Sequence, residues 1–153
     1  IPSFSDDGLN YYVSRHLFRK KMKYENPVYP KNLIIFNEDR IDFKAQLTLV
    51  EGSFDLVKTT GKPHVAWIRL VAQLAPLPLI IENNTPVVLA LDRDARAKQN
   101  KIAKLLKSFE IDVRIANVFP FNDVGEMTHE DYHHMMSNQV FPFNEWESEF
   151  LMA

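Results

Sequence analysis

The sequence predicts an α/β domain: a parallel β-sheet flanked by helices, with a small β-rich extension at its N-terminus. Two apolar runs read as strands: residues 47–50 (LTLV), which stop at Glu51-Gly52, and residues 87–91 (VVLAL), continuous as in a strand buried on both faces and ending abruptly at Asp92-Arg93-Asp94. Helical periodicity follows each run. The composition supports one folded unit, because 153 residues at 46% hydrophobic and 12% aromatic can bury a core, which excludes a disordered tail or a disulfide-dependent miniprotein.

Taken in chain order, residues 10–18 have the aromatic and β-branched content of a strand, and residues 32–36 (NLIIF) read as another after the turn-rich NPVYPK. Residues 1–44 are therefore expected to form the β-rich lead-in, residues 45–138 the main domain and residues 139–153 a C-terminal tail. After the 47–50 strand, Glu51-Gly52 breaks the run, and residues 53–60 turn as a helix with Phe54, Leu56 and Val57 inward. Residues 63–79 are ambiguous: 66–74 fits a buried helix, which the prolines at 76 and 78 would end. The 87–91 strand delivers Asp92-Arg93-Asp94. The next helix begins near Ala95, with Ile102, Leu105, Leu106 and Phe109 at i, i+3, i+4 and i+7 and Lys98, Lys101, Lys104 and Lys107 outside. Residues 112–116 (DVRIA) alternate as a third strand, and Thr128 caps a helix from His129 with Asp131 in the capping-box position. Residues 141–153 suit a short amphipathic helix with Trp146, Phe150 and Leu151 as contacts. The order β-α-β-α-β-α calls for a parallel sheet covered by helices.

The net charge of −2 conceals an asymmetry. Residues 1–44 carry 8 basic and 6 acidic side chains, 45–90 carry 3 of each, 91–116 carry 7 and 4, and 117–153 carry 7 acids with no Lys or Arg. Arg15, Arg19, Lys20, Lys21 and Lys23 follow one another without an acid, a pattern that supplies phosphate-binding surfaces and equally a solvated edge. The absence of cysteine removes disulfides, thiolate zinc sites and thiol nucleophiles, and fits a reducing cytoplasm. No window reaches about 18 uninterrupted apolar residues, so no membrane span or signal peptide is expected. Ile1 in place of a Met leads us to expect a piece of a longer protein.

In open α/β sheets the chemistry collects outside the carboxyl ends of the strands. Glu51 and the Asp92/Asp94 pair occupy that place on two strands, and Asp123 with Glu126 follows the third. Alternate residues of an extended segment project to one side, so Asp92 and Asp94 can both reach a cation. A cluster of carboxylates repels itself unless a hard divalent ion compensates, and all-oxygen ligands favour Mg²⁺ or Mn²⁺, ions suited to phosphoryl and nucleotidyl transfer. The competing reading is that Asp92 and Asp94 merely cap the basic helix.

The segments LTLVEGSFD (47–55) and LALDRDA (89–95) together resemble the TOPRIM domain of primases, topoisomerases and some nucleases, through a strand-end EGxxD followed some 40 residues on by a strand-end DxDA. KYENP (23–27) followed by IIFN (34–37) looks like the segment that precedes TOPRIM in bacterial-type and phage-type DNA primases, and NDVGEM (122–127) resembles their third acidic motif. The resemblance implies a TOPRIM-like sheet and a primase catalytic core that makes RNA primers on single-stranded DNA from nucleoside triphosphates. It implies that Glu51, Asp92 and Asp94 are catalytic and hold Mg²⁺, with Asp55 and Asp123 as supports or second-site ligands. Lys23 and Asn26 match the upstream motif as nucleic-acid or triphosphate contacts, whereas Arg15 and Arg19 are candidates on local charge. A replicative helicase is an implied partner through domains outside this chain. Two departures stand out: Gly125 replaces a second Asp, and residues 63–79 contain no glycine.

HEDYH (129–133) formally matches the zinc-protease pattern H-E-x-x-H, but no third ligand is signalled. With only Gly8, Gly52, Gly61 and Gly125, neither a P-loop nor a dinucleotide fingerprint exists. Trp67 and Trp146 sit in apolar company, as core residues do. Two alternatives to a primase remain open at this level: a TOPRIM nuclease using the same ligands, and a nucleic-acid-binding module whose chemistry has lapsed.

Overall fold

The computed structural model describes residues 1–16, 18, 24–28, 34–59, 65–67 and 76–150, without side-chain detail at 65–67, 149 and 150. Its N-terminal part opens with an antiparallel hairpin of β1 (Pro2–Ser5) and β2 (Gly8–Tyr12), turning at Gly8, whose φ of 110° is one that a residue with a Cβ rarely adopts. A second antiparallel pair joins β3 (Ser14–Arg15) to β4 (Tyr24–Glu25). Strand structure within residues 10–18 is thus as expected, but split in two. Ile34, Ile35 and Phe36 are buried without forming a strand, while residues 32 and 33 lie outside the described residues. Tyr11, Val13, Ile34 and Phe36 form a small core, against which Phe54 and Leu56 of the following helix pack.

The main sheet has the order β6-β5-β7-β8-β9. Strands β5 (Leu47–Val50), β6 (Val65–Trp67), β7 (Val87–Ala90) and β8 (Val113–Ala116) run parallel to one another. Strand β9 (Val140–Pro142) returns antiparallel to β8, with Pro142 opposite Arg114. It was not expected: residues 141–153 read as helix throughout, whereas helix α5 (Phe143–Phe150) starts only after β9. Period-2 alternation assigns the two faces of the sheet. Leu47, Leu49, Val87, Leu89, Val113 and Ile115 share one core, with α2 (Leu77–Glu82), α3 (Arg96–Lys107) and α5 contributing Ile80, Ile102, Leu106 and Trp146. Val50, Val88, Ala90 and Ala116 face the other, covered by Tyr132 and Met135 of α4 (His129–Asn138) and by Leu56 of α1 (Ser53–Lys58).

Three details of the helices refine the sequence reading. In α1, Phe54 and Leu56 pack against the small N-terminal core, and Leu56 also against the sheet, but Val57 is exposed. In α3 the buried positions are Gln99, Ile102, Ala103 and Leu106, so the stripe is rotated from the one expected and Leu105 and Phe109 face outward. In α4 the capping box forms as predicted, with Thr128 Oγ1 accepting from Asp131 N at 3.1 Å and Asp131 Oδ2 accepting from Thr128 N at 3.0 Å. Trp146 is a core residue, while the Trp67 side chain and Leu151 lie outside the described residues. Among the described residues, no helix is long and apolar enough to cross a membrane.

Candidate active site at the carboxyl ends of the strands

Parallel β5, β7 and β8 end side by side, so the residues that follow them emerge at one edge of the sheet. Glu51 follows β5, and Asp92 follows β7 after Leu91. The loop after β8 brings Asp123 to the same edge, tied there by Arg93 N donating to Asn122 O at 2.8 Å. A cleft of about 990 Å³ has Glu51, Asp55, Asp92 and Asp123 in its walls, together with Arg15 and Asn26 from the N-terminal part. Three loops therefore bring their acids into one cleft, and the lead-in supplies the facing wall.

Asp55 holds the arrangement together. It is buried in the first turn of α1, where its Oδ2 accepts from Gly52 N at 2.7 Å, and the backbone N–H of Gly125 also donates to it. One carboxylate thus joins the loop after β5 to the loop after β8. Burial, and then the neighbouring charge of Asp123, push its pKa up to about 6 against the opposing hydrogen bonds. Asp92 is raised further, to about 7, by burial and by the charges of Glu51, Asp55, Asp123 and Asp94.

Asp92 does not cap the basic helix. It precedes the 3₁₀ turn Arg93–Ala95 with no side-chain capping hydrogen bond, and its Oδ1, among the described residues, is buried without a hydrogen-bond partner. Asp94 departs from the expected alternation because the chain is extended at Asp92 (ψ 147°) but coils immediately afterwards, leaving Asp94 exposed on the turn and outside the cleft wall. Glu126 also borders the cleft and is exposed, but its carboxylate is engaged locally: it accepts from Asn122 N at 3.0 Å and Asn122 Nδ2 at 3.0 Å, which lowers its pKa, while Asp123 Oδ1 accepts from Glu126 N at 2.9 Å.

On the facing wall, the Arg15 guanidinium lies over the rings of Tyr24 (5.9 Å) and Phe54 (5.5 Å), and Asn26 Oδ1 accepts from Ser14 N at 3.3 Å. Arg19 and Lys23 lie outside the described residues. Sequence reasoning missed Lys98, placed on the outer surface of its helix; its Nζ instead bonds Glu51 Oε1 at 2.7 Å. A signal was present, since a lysine in the first turn of a helix opposes the helix dipole and calls for a nearby anion. Among the described residues no three His, Asp or Glu side chains form a ready-made ligand group, and His129 and His133 stand exposed on α4 without a zinc site. The converging donors are nevertheless all oxygen, and the buried Asp92 Oδ1 is the kind of atom a hard divalent cation satisfies.

The fold is shared with solved primase structures. The RNA polymerase domain of Mycobacterium tuberculosis primase DnaG matches with a TM-score of 0.73 at 17% identity, over 95% of this chain and 56% of that one. The same domain in complex with a double-stranded DNA oligomer with a 6-nucleotide overhang matches with a TM-score of 0.67 at 18% identity, over 95% and 54%. A chain from the structure of bacteriophage T7 lagging-strand DNA polymerase interacting with primase domains of two gp4 subunits, bound to an RNA/DNA hybrid and dTTP, matches with a TM-score of 0.60 at 16% identity, over 91% and 74%. At these identities the likeness is one of fold, and this chain spans just over half the length of the mycobacterial domains. No protein-family model matches the sequence, and no curated protein matches it.

Proposed function

We propose that this chain is a fragment of the catalytic core of a TOPRIM-type DNA primase, joining ribonucleotides on single-stranded DNA by Mg²⁺-dependent nucleotidyl transfer. The carrying observation is the convergence of Glu51, Asp92 and Asp123 from three strand-end loops, opposite Arg15 and Asn26, in a primase-like fold. Glu51, Asp92 and Asp94 would hold Mg²⁺, with Mn²⁺ as a substitute; Asp55 and Asp123 position the loops and can lend a second set of oxygens. When bound, the ion offsets the charge that develops on the triphosphate and the leaving pyrophosphate. Arg15 and Asn26, joined by Arg19 and Lys23 from the same basic stretch, orient template and triphosphate by charge and hydrogen bonding. The outer lysines of α3 add sequence-independent attraction for the nucleic-acid backbone. Such a protein works in the cytoplasm of a bacterial cell, host-encoded or phage-encoded, and meets a replicative helicase through further domains.

The test is template-dependent incorporation of labelled ribonucleotides with Mg²⁺ or Mn²⁺, comparing the wild type with Asp92→Asn. Product from the wild type, lost in the variant, supports the reading. Cation-dependent cleavage of DNA without any nucleotide requirement replaces it with a nuclease. DNA binding that persists in EDTA and in Glu51→Gln, with neither product nor cleavage, replaces it with a binding module.

A further inference from the structure

The Lys98–Glu51 pair has no evident purpose as a surface ion pair. Both side chains are about three-quarters buried, at 25% and 26% exposure, and the 2.7 Å contact spans the gap between α3 and the end of β5. Lys98 occupies the first turn of a helix that has no acidic residue there, a position where the helix dipole repels a cation. A lysine survives there most readily where a nearby carboxylate more than offsets the dipole, and Glu51 is that carboxylate. Its approach also directs Glu51 Oε1 toward α3, consistent with the lack of a preassembled three-acid group among the described residues.

We infer that Lys98 is a built-in counter-cation of the acidic cleft, holding Glu51 until a divalent ion arrives and competing with that ion for the same carboxylate. Lys98 is a positioning residue in this scheme. It lets four or five carboxylates share one edge of the sheet when the cleft is empty, and it sets the cation concentration at which the cleft fills. Its four-carbon stem can swing the ammonium away without moving the backbone of α3. The inference rests on the reading of the cleft as a divalent-cation site.

Isothermal titration of the whole chain with Mn²⁺ tests it without reference to catalysis, comparing wild type, Lys98→Met, Lys98→Arg and Glu51→Gln, with circular dichroism to establish folding. Lys98→Met is expected to bind Mn²⁺ about tenfold more tightly, Lys98→Arg to remain near the wild type, and Glu51→Gln to lose most binding. Should Lys98→Met fail to fold, nitrogen NMR of the lysine ammonium groups in the wild type decides: the Lys98 signal must lose its ion-paired shift as Mg²⁺ is added. Wild-type binding that is equal or weaker in Lys98→Met, or a Lys98 signal indifferent to Mg²⁺ at saturation, overturns the counter-cation role and leaves the catalytic reading standing. No Mn²⁺ binding by any of the proteins overturns both.

Discussion

Asp55 Oδ1 lies so close to Gly125 that a Cβ built on the glycine would stand 2.8 Å from it, with Asp123 Oδ1 a further 3.1 Å contact. Gly125 therefore serves close approach. The chain has a residue without a side chain at this place, and the carboxylate of Asp55 fills the adjoining space.

Gly125→Ala is expected to destabilise the fold by about 1–3 kcal/mol, the range for forcing an extra methyl into a packed site. Asp55 cannot retreat, being buried and held by Gly52 N at 2.7 Å. Thermal unfolding followed by circular dichroism should show the loss in the wild-type background and little of it in Asp55→Ala. An equal penalty in both backgrounds would refute the contact.

Stability without divalent cations should fall as pH rises from about 4 to about 7. Asp92 and Asp55 have folded-state pKa values near 7 and 6 against an ordinary 3.8, so in this window the native state keeps protons that the unfolded chain has released. The sign follows: stability is highest where both states are protonated and is lost as the folded groups ionise. Asp92→Asn should flatten the slope and raise Tm at pH 8 by about 5 °C, on a contribution of about 2 kcal/mol after solvent screening. Melting curves in EDTA across pH 4–8 provide the check, and a wild-type Tm that climbs through this range would contradict it.

Leu89→Ala should cost about 3 kcal/mol, as a large-to-small change in a core that relaxes only partly. Leu89 is fully buried on β7, the middle strand of the five. Urea unfolding should show a lower midpoint with an unchanged slope.

Arg15→Ala should weaken binding of single-stranded oligonucleotides about equally across sequences. If its guanidinium engages one phosphate, the slope of log K against log salt falls in magnitude by about 0.7. Fluorescence anisotropy at several salt concentrations measures both; an unchanged slope assigns Arg15 to packing against Tyr24 and Phe54 alone.

Much of the sheet was legible because its central strands are buried on both faces, so VVLAL appears as an unbroken apolar run and LTLV as a largely apolar one, each ending at an acid. Thr128 and Asp131 likewise announce their helix by local hydrogen-bonding chemistry alone. Strand β9 was not legible: three residues ending in proline are too few to show a period, and their pairing with β8 is a tertiary fact. The inner face of α3 was misjudged because Gln99 and Ala103 occupy buried positions that an apolar count passes over, while Leu105 and Phe109 look inward only by composition. Glu51, Asp92 and Asp123 were visible as strand-end acids. The partnership of Lys98 with Glu51 was hidden, since 47 residues separate them and only the tertiary fold joins them.

The pairing of Pro142 with Arg114 has a bearing on how the protein behaves at high concentration. A proline offers no N–H, and β9 is only three residues long. That border of the sheet thus presents a neighbouring molecule with a short and interrupted row of hydrogen-bonding groups, a feature that discourages strand-by-strand accretion into aggregates. An otherwise extendable boundary is blunted by one imino acid, and self-association along it is disfavoured without any charge being placed there.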